Sequence, residues 1–252
     1  MIEFYERLIK DRFKDRNSFT REDLLDFYLE YEPDIKKATF GWRIFDLRQK
    51  GIIRTIAKGV YVLSGKPEYK PHPSDKARKL ARAFGRHLPG SNYCISETSW
   101  LNEFSIHQTN TSVIILEVDK DLLEPAFFTL KNEIKDLYLQ PGPKEMEIYV
   151  LQKEDPVVLK SLISRSPTQG KRDKNLTVNL PHLEKLLVDV YCDRQIYFFY
   201  SGVEHGNIFS NAFDRYAVNL SRLRNYAKRR GKGIEVEAFI SHEVTTAPPI
   251  EF

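Results

Sequence analysis

Cysteine is nearly missing from this 252-residue chain: only Cys94 and Cys192 occur, and they lie far apart. A disulfide framework would need more cysteines and a zinc site closer ones, so both read as free thiols in a reducing compartment. Long apolar runs are also missing. The longest, at residues 112–118 and 195–200, are strand-sized and too short to span a bilayer. The start, MIEFYERLIKDRFK, has charges every few positions and no apolar core of a signal peptide. A cytoplasmic protein without membrane contact is expected. Of the six histidines, His72, His87, His107, His182, His205 and His242, none lies four residues from another histidine or a cysteine, so no helical metal pair is present. Nor is there a glycine-rich phosphate cradle, a nucleophile elbow or a Cys-x-x-Cys. The expectation is a protein with no cofactor, no metal and no catalytic site. Net charge is small too, at +4, so charge alone does not announce a nucleic-acid binder.

What is present is an ordinary globular composition, 41% hydrophobic and 29% charged, long enough for two modest domains. The stretch GKPEYKPHPSD at residues 65–75 has three prolines and few apolar groups, and reads as an extended linker. It separates residues 1–64 from a mixed α+β part at residues 76–252. The fold class expected is therefore α+β.

In the first part, Phe4, Leu8 and Ile9 suggest a short amphipathic helix. Thr20 is placed to cap a second helix, with Asp23 three residues on as its capping-box partner, and Pro33 ends that helix. A third helix is expected over residues 36–50, closed by Gly51. The run IIRTIAKGVYVL that follows is two β-rich segments joined at Lys58-Gly59, a hairpin. Three helices and a hairpin form the order of a winged helix-turn-helix, in which the third helix enters the major groove of DNA and the hairpin reaches a neighbouring phosphate.

Charge is distributed as that reading requires. Residues 20–35 hold one cation, Arg21, against six carboxylates; residues 36–58 hold seven cations against one carboxylate, Asp46. Phosphates would repel the first stretch and attract the second. Phe40, Ile44 and Leu47 share the stripe that packs inward, and Thr39, Trp42 and Gln49 lie opposite it. Lys36, Lys37, Thr39, Trp42, Arg43, Gln49, Lys50, Arg54 and Lys58 are the candidate contacts to double-stranded operator DNA. Were the protein a dimer, two such modules would sit on repeated half-sites.

The string TFGWRIFDLRQKGIIRTIAKGVYVL (residues 39–63) resembles the winged-helix segment of AbiEi-type antitoxins. LEKLLVDVY (residues 183–191) and YAVNLSRLRNYAKRR (residues 216–230) are similar to that family's C-terminal end. Two departures are Ala57, where the family often has glycine, and SETSWLNEF at residues 96–104, where many relatives carry a Ser-Ala…Leu-His-Gly phrase. The resemblance implies a type IV toxin–antitoxin component: an N-terminal domain that represses its own operon, and a C-terminal domain that counteracts a nucleotidyltransferase-type toxin.

The second part reads as a basic helix at residues 75–87, a short helix at 97–104, a strand at 113–118 and a helical stretch interrupted at Pro125. A strand at 145–152, a helix at 155–165, a polar loop at 166–174, helices at 182–192 and 213–230, and a last strand at 234–240 complete it. Arg78 and Arg82, and then Arg222, Arg224, Lys228 and Arg229, are candidate contacts to a partner or to phosphate. Two other readings stay open. Asp119 and Asp121, at a strand end, have the Asp-x-Asp pattern with which a nucleotidyltransferase holds magnesium. A protein-interaction adaptor without DNA affinity is the other.

Overall fold

The computed structural model describes residues 2–49, 52–63, 67–173 and 176–243, and shows a mixed α+β chain. The chain divides into two compact units: Met1–Tyr69 with Ala212–Ser221, and Lys70–Asn211 with Arg222–Phe252.

The first unit begins with α1 (Ile2–Phe13), β1 (Phe19–Thr20), α2 (Arg21–Tyr31) and α3 (Lys37–Gln49), then β2 (Ile53–Ala57) and β3 (Val60–Leu63). The expected capping box is present: the Asp23 N–H donates to Thr20 Oγ1 at 3.0 Å, and the Thr20 N–H donates to the Asp23 carboxylate at 2.7 Å. Donation from the Thr20 N–H and from the Thr20 hydroxyl holds the Asp23 carboxyl below its ordinary value, with Arg16 adding to the effect. The hairpin turns at Lys58-Gly59, where Gly59 adopts φ 73°. A short strand that the pattern does not reveal joins it, giving the order β1-β3-β2. The core is unusually aromatic: Phe13 stacks on Phe19 at 4.1 Å, and Tyr28 meets Phe40 edge-on. Phe40, Ile44 and Leu47 are buried in it, as their spacing predicts.

The prolines at residues 65–75 do not make a free spacer. Residues 64–66 lie outside the described ones. Tyr69 is buried against Tyr216, and Pro67 accepts from the Ala217 N–H, all within the first unit. In the second unit Pro71 accepts from Lys171 Nζ, His72 from Trp100 Nε1, and the Ser74 N–H donates to Glu97. The expected division also misses the return of residues 212–221 to the first unit. There Ala217 packs on Ile56 and Val62 of the hairpin.

The second unit contains α4 (Asp75–His87), β4 (Tyr93–Glu97), β5 (Ile114–Val118), α5 (Leu123–Leu130), β6 (Leu137–Leu139) and β7 (Val157–Ser161). Before β7 lies a helical turn, α6 (Pro143–Glu145), which continues as a π-helical turn over Met146–Val150. Its sheet has the order β4-β5-β7-β6, with β4 antiparallel to β5 and the other pairs parallel. The hairpin β8 (Thr168–Asp173) and β9 (Leu176–Pro181) follows, then α7 (Leu183–Cys192) and α10 (Gly233–Glu243). Between them α8 (Val203–Arg215) leads into the first unit and α9 (Leu220–Arg229) leads back.

Several expected elements are corrected here. The expected strand at 145–152 is helical: Pro143 sits in the first turn, where its missing N–H costs nothing, and Glu145 accepts from the Gly142 N–H. The expected helix at 155–165 is β7, whose Val157, Val158 and Leu159 are buried between parallel neighbours. The polar loop at 166–174 is mostly β8, because β9 supplies a full antiparallel register. The helix at 213–230 is broken between α8 and α9, and the last strand is α10. Pro125 lies in the first turn of α5 and does not interrupt it.

Candidate nucleic-acid interface

The inward stripe of α3 fixes what its other side presents. Lys36 and Lys37 at its start, Thr39, and Arg48 in its last turn are exposed, and so is Lys58 at the hairpin turn. Among the described residues Lys36, Lys37, Arg48 and Lys58 have no ion-pair or hydrogen-bonded partner for their side chains. Trp42 and Phe45 stand on the same helix at 55% and 54% exposure. Neither is a core residue of this unit, and both offer flat apolar surface beside the cations.

Two expected contacts have other engagements. Arg43 does not reach outward from α3. Its guanidinium donates to both Glu32 oxygens at 2.7 and 2.9 Å and lies over the rings of Tyr5 and Tyr28. Burial pushes the Tyr28 hydroxyl up to about 12, against the lowering influence of Arg43. A residue at the flank of the exposed stripe thus joins α1, α2 and α3. Arg54, on β2, pairs with Glu68 at 3.0 Å and donates to the Ala217 carbonyl at 3.3 Å. The side chain of Gln49 and all of Lys50 and Gly51 lie outside the described residues.

The cations expected in the second part are mostly paired. Arg78 bridges Asp75, Arg222 bridges Glu184, Arg224 bridges Glu237, and Arg229 donates to the Arg165 carbonyl. Arg82 and Lys228 are exposed, with no side-chain partner among the described residues. Asp119 and Asp121 are exposed in the turn after β5, where Asn92 approaches Asp119 at 3.4 Å. The Asp119 side chain does not cap the turn that follows. No cluster of three or more His, Cys, Asp or Glu side chains suited to a metal, and no helix long and apolar enough to cross a membrane, occurs among the described residues.

The sequence pattern does not announce a buried ionic cluster in the second unit. Lys185 on α7, fully buried, donates to Glu117 on β5 and to Asp189 one turn along its own helix, both at 2.5 Å. Arg230 donates to Asp189 and to both oxygens of Asp193, and Lys160 on β7 donates to Asp193. Tyr226 also donates to Asp189. Burial alone would lower the Lys185 pKa, but Asp189 and Glu117 hold it well above the ordinary lysine value. Burial likewise opposes the charge of Asp193, and Lys160 and Arg230 keep that carboxyl below its usual range. One signal was visible: Lys185 and Asp189 stand four apart inside the apolar string LEKLLVDV, and Glu117 interrupts the strand IILEV.

Comparison with known proteins places the chain in a family. The profile of a family of unknown function, DUF6577, matches residues 39–246, and the chain belongs to that family. The match begins inside α3 and takes in all of the second unit's sheet. No curated protein matches. Among solved structures, the RV2827C protein from Mycobacterium tuberculosis is similar at 16% identity, over 93% of this chain and 80% of that one. Its TM-score is 0.27.

Proposed function

We propose that this protein is a DNA-binding transcriptional regulator whose first unit acts as a winged helix-turn-helix. The order α1-β1-α2-α3-β2-β3, with the hairpin as wing, supports the reading. The observation that carries it is the exposure of Thr39, Trp42 and Phe45 along α3, away from its buried stripe, with exposed cations Lys36 and Lys37 at the helix start, Arg48 in its last turn and Lys58 at the hairpin turn. In this reading α3 seats in the major groove and the lysines neutralise phosphates. Thr39 hydrogen-bonds a base edge or phosphate, and Trp42 packs on thymine methyls or sugar. Repression is steric: the bound protein occludes a promoter.

From the AbiEi-type resemblance of residues 39–63, 183–191 and 216–230, we further propose that the regulator is the antitoxin of a type IV system. It represses its own operon and counteracts a nucleotidyltransferase-type toxin encoded beside it.

The test is binding of the full chain to the DNA upstream of its own gene, across a salt series. Replacing Lys36, Lys37 and Lys58 together by alanine should weaken binding. It should also flatten the slope of log K against log salt by about 0.9 for each phosphate that is no longer neutralised. An unchanged affinity and slope in a correctly folded variant would overturn the docking. Arg43 is unsuited to this test, since its removal disturbs the packing of α1, α2 and α3.

A further inference from the structure

β6 and β7 run parallel, and beyond their carboxyl ends the second unit has an open cleft of about 250 Å³. That is the edge of a parallel sheet at which ligands are commonly held, because the connecting loops diverge there. Gln140 directly follows β6 and Ser161 closes β7. Asp193 and Gln195 come from the segment after α7, and Arg230 follows α9.

The cleft wall is rich in unused donors. Of the five N–H groups of Arg230, three go to Asp189 and Asp193, and two remain. Lys160 donates to Asp193 at 2.5 Å and lies 3.8 Å from Glu117, which leaves N–H capacity over. Glu117 Oε1 is itself buried without a hydrogen-bond partner, so the ionic cluster behind the wall is not closed on itself. The side chains of Gln140, Ser161 and Gln195 add neutral polar groups, with no hydrogen-bond partners among the described residues. Two cations and one carboxylate face the cleft, while Asp189, Glu117 and Lys185 lie behind them, so the cations and not the carboxylates predominate on the exposed wall. Ile163 and Ile196 supply an apolar flank. Gln140 is held at φ 43°, a left-handed conformation that costs a non-glycine residue energy and that packing must enforce.

We propose that this cleft binds a small organic anion, a carboxylate or phosphate monoester, with its oxyanion at Lys160 and Arg230 and its apolar part along Ile163 and Ile196. The site belongs wholly to the second unit and is independent of the DNA-binding reading. Its ligand is recognised by charge and donor geometry, with the cluster of Lys185, Glu117 and Asp189 holding the wall rigid behind it.

Calorimetric titration of the full chain with glycerol 3-phosphate and with butyrate tests the proposal and separates the two sources of oxyanion. One of the two should saturate a single site below about 10 mM. Gln195 is exposed, so its charge can be varied without loading the core. Gln195→Lys should tighten the bound probe and Gln195→Glu weaken it, each by about fivefold, the work of one nearby partly screened charge. Gln140→Glu should weaken it from the β6 side. Saturation by neither probe would overturn the proposal. So would equal affinity of folded Gln195→Lys and Gln195→Glu chains.

Discussion

The two units place their charges in opposite ways. The first keeps its interior for rings, with Phe13, Phe19, Phe27, Tyr28 and Phe40 in contact, and leaves most of its ions at the rim. The second encloses Lys185 completely and surrounds it with Glu117 and Asp189. Ions at a rim stay hydrated and contribute little each, whereas a buried ion depends on its partners to offset desolvation. The rim charges of the first unit can therefore be changed singly at little cost in stability. The second has charge that cannot be changed one residue at a time.

The largest effect expected from that contrast is at Lys185. Lys185→Ala leaves Glu117 and Asp189 buried without their shared cation and should destabilise the second unit by about 3–5 kcal/mol, read from denaturant midpoints. A destabilisation below ~1 kcal/mol would mean that the cluster is hydrated, and the contrast would fail. Arg43 is the intermediate case, a charge of the first unit that is half enclosed. Arg43→Ala removes a two-point ion pair and two ring contacts, and should cost about 2 kcal/mol. Arg43→Lys should recover only part of that, because an ammonium cannot reproduce the fork. The smallest effect belongs to the rim. Asp23 has a folded-state pKa held below its unfolded value, so its contribution is present above about pH 4 and is lost as pH falls through the folded pKa. Asp23→Ala should remove that acid-side slope and about 1 kcal/mol of stability at neutral pH. An unaltered slope would show that the cap adds nothing.

The contrast also explains what could be read from the sequence. In the first unit local signals agree with the fold. Thr20 and Asp23 cap α2, the spacing of Phe40, Ile44 and Leu47 aims α3, and Lys58-Gly59 turns the hairpin. β1 escapes notice, since two residues carry no period, and so does the return of residues 212–221, which no local pattern announces. In the second unit local pattern and tertiary demand conflict. MEIYV alternates like a strand but follows a Gly-Pro helix start, and packing buries Met146 and Val150 on one side. IEVEAFI also alternates, yet it is α10, whose Phe239 packs against Tyr191, His205 and Phe209. Of the candidate interface, the exposed lysines and Trp42 were legible from helical geometry. The inward turns of Arg43 and Arg54 were not, because Glu32 and Glu68 compete for them, and no periodicity encodes which partner a long side chain chooses.

The return of residues 212–221 to the first unit has a consequence for biosynthesis. Ile56 and Val62 of the hairpin are covered by Ala217, a residue made more than a hundred positions later. When the hairpin leaves the ribosome, that part of it still lacks its cover, and it gains one only after Ala217 has been translated. A fragment cut after Tyr69 would leave the same surface bare.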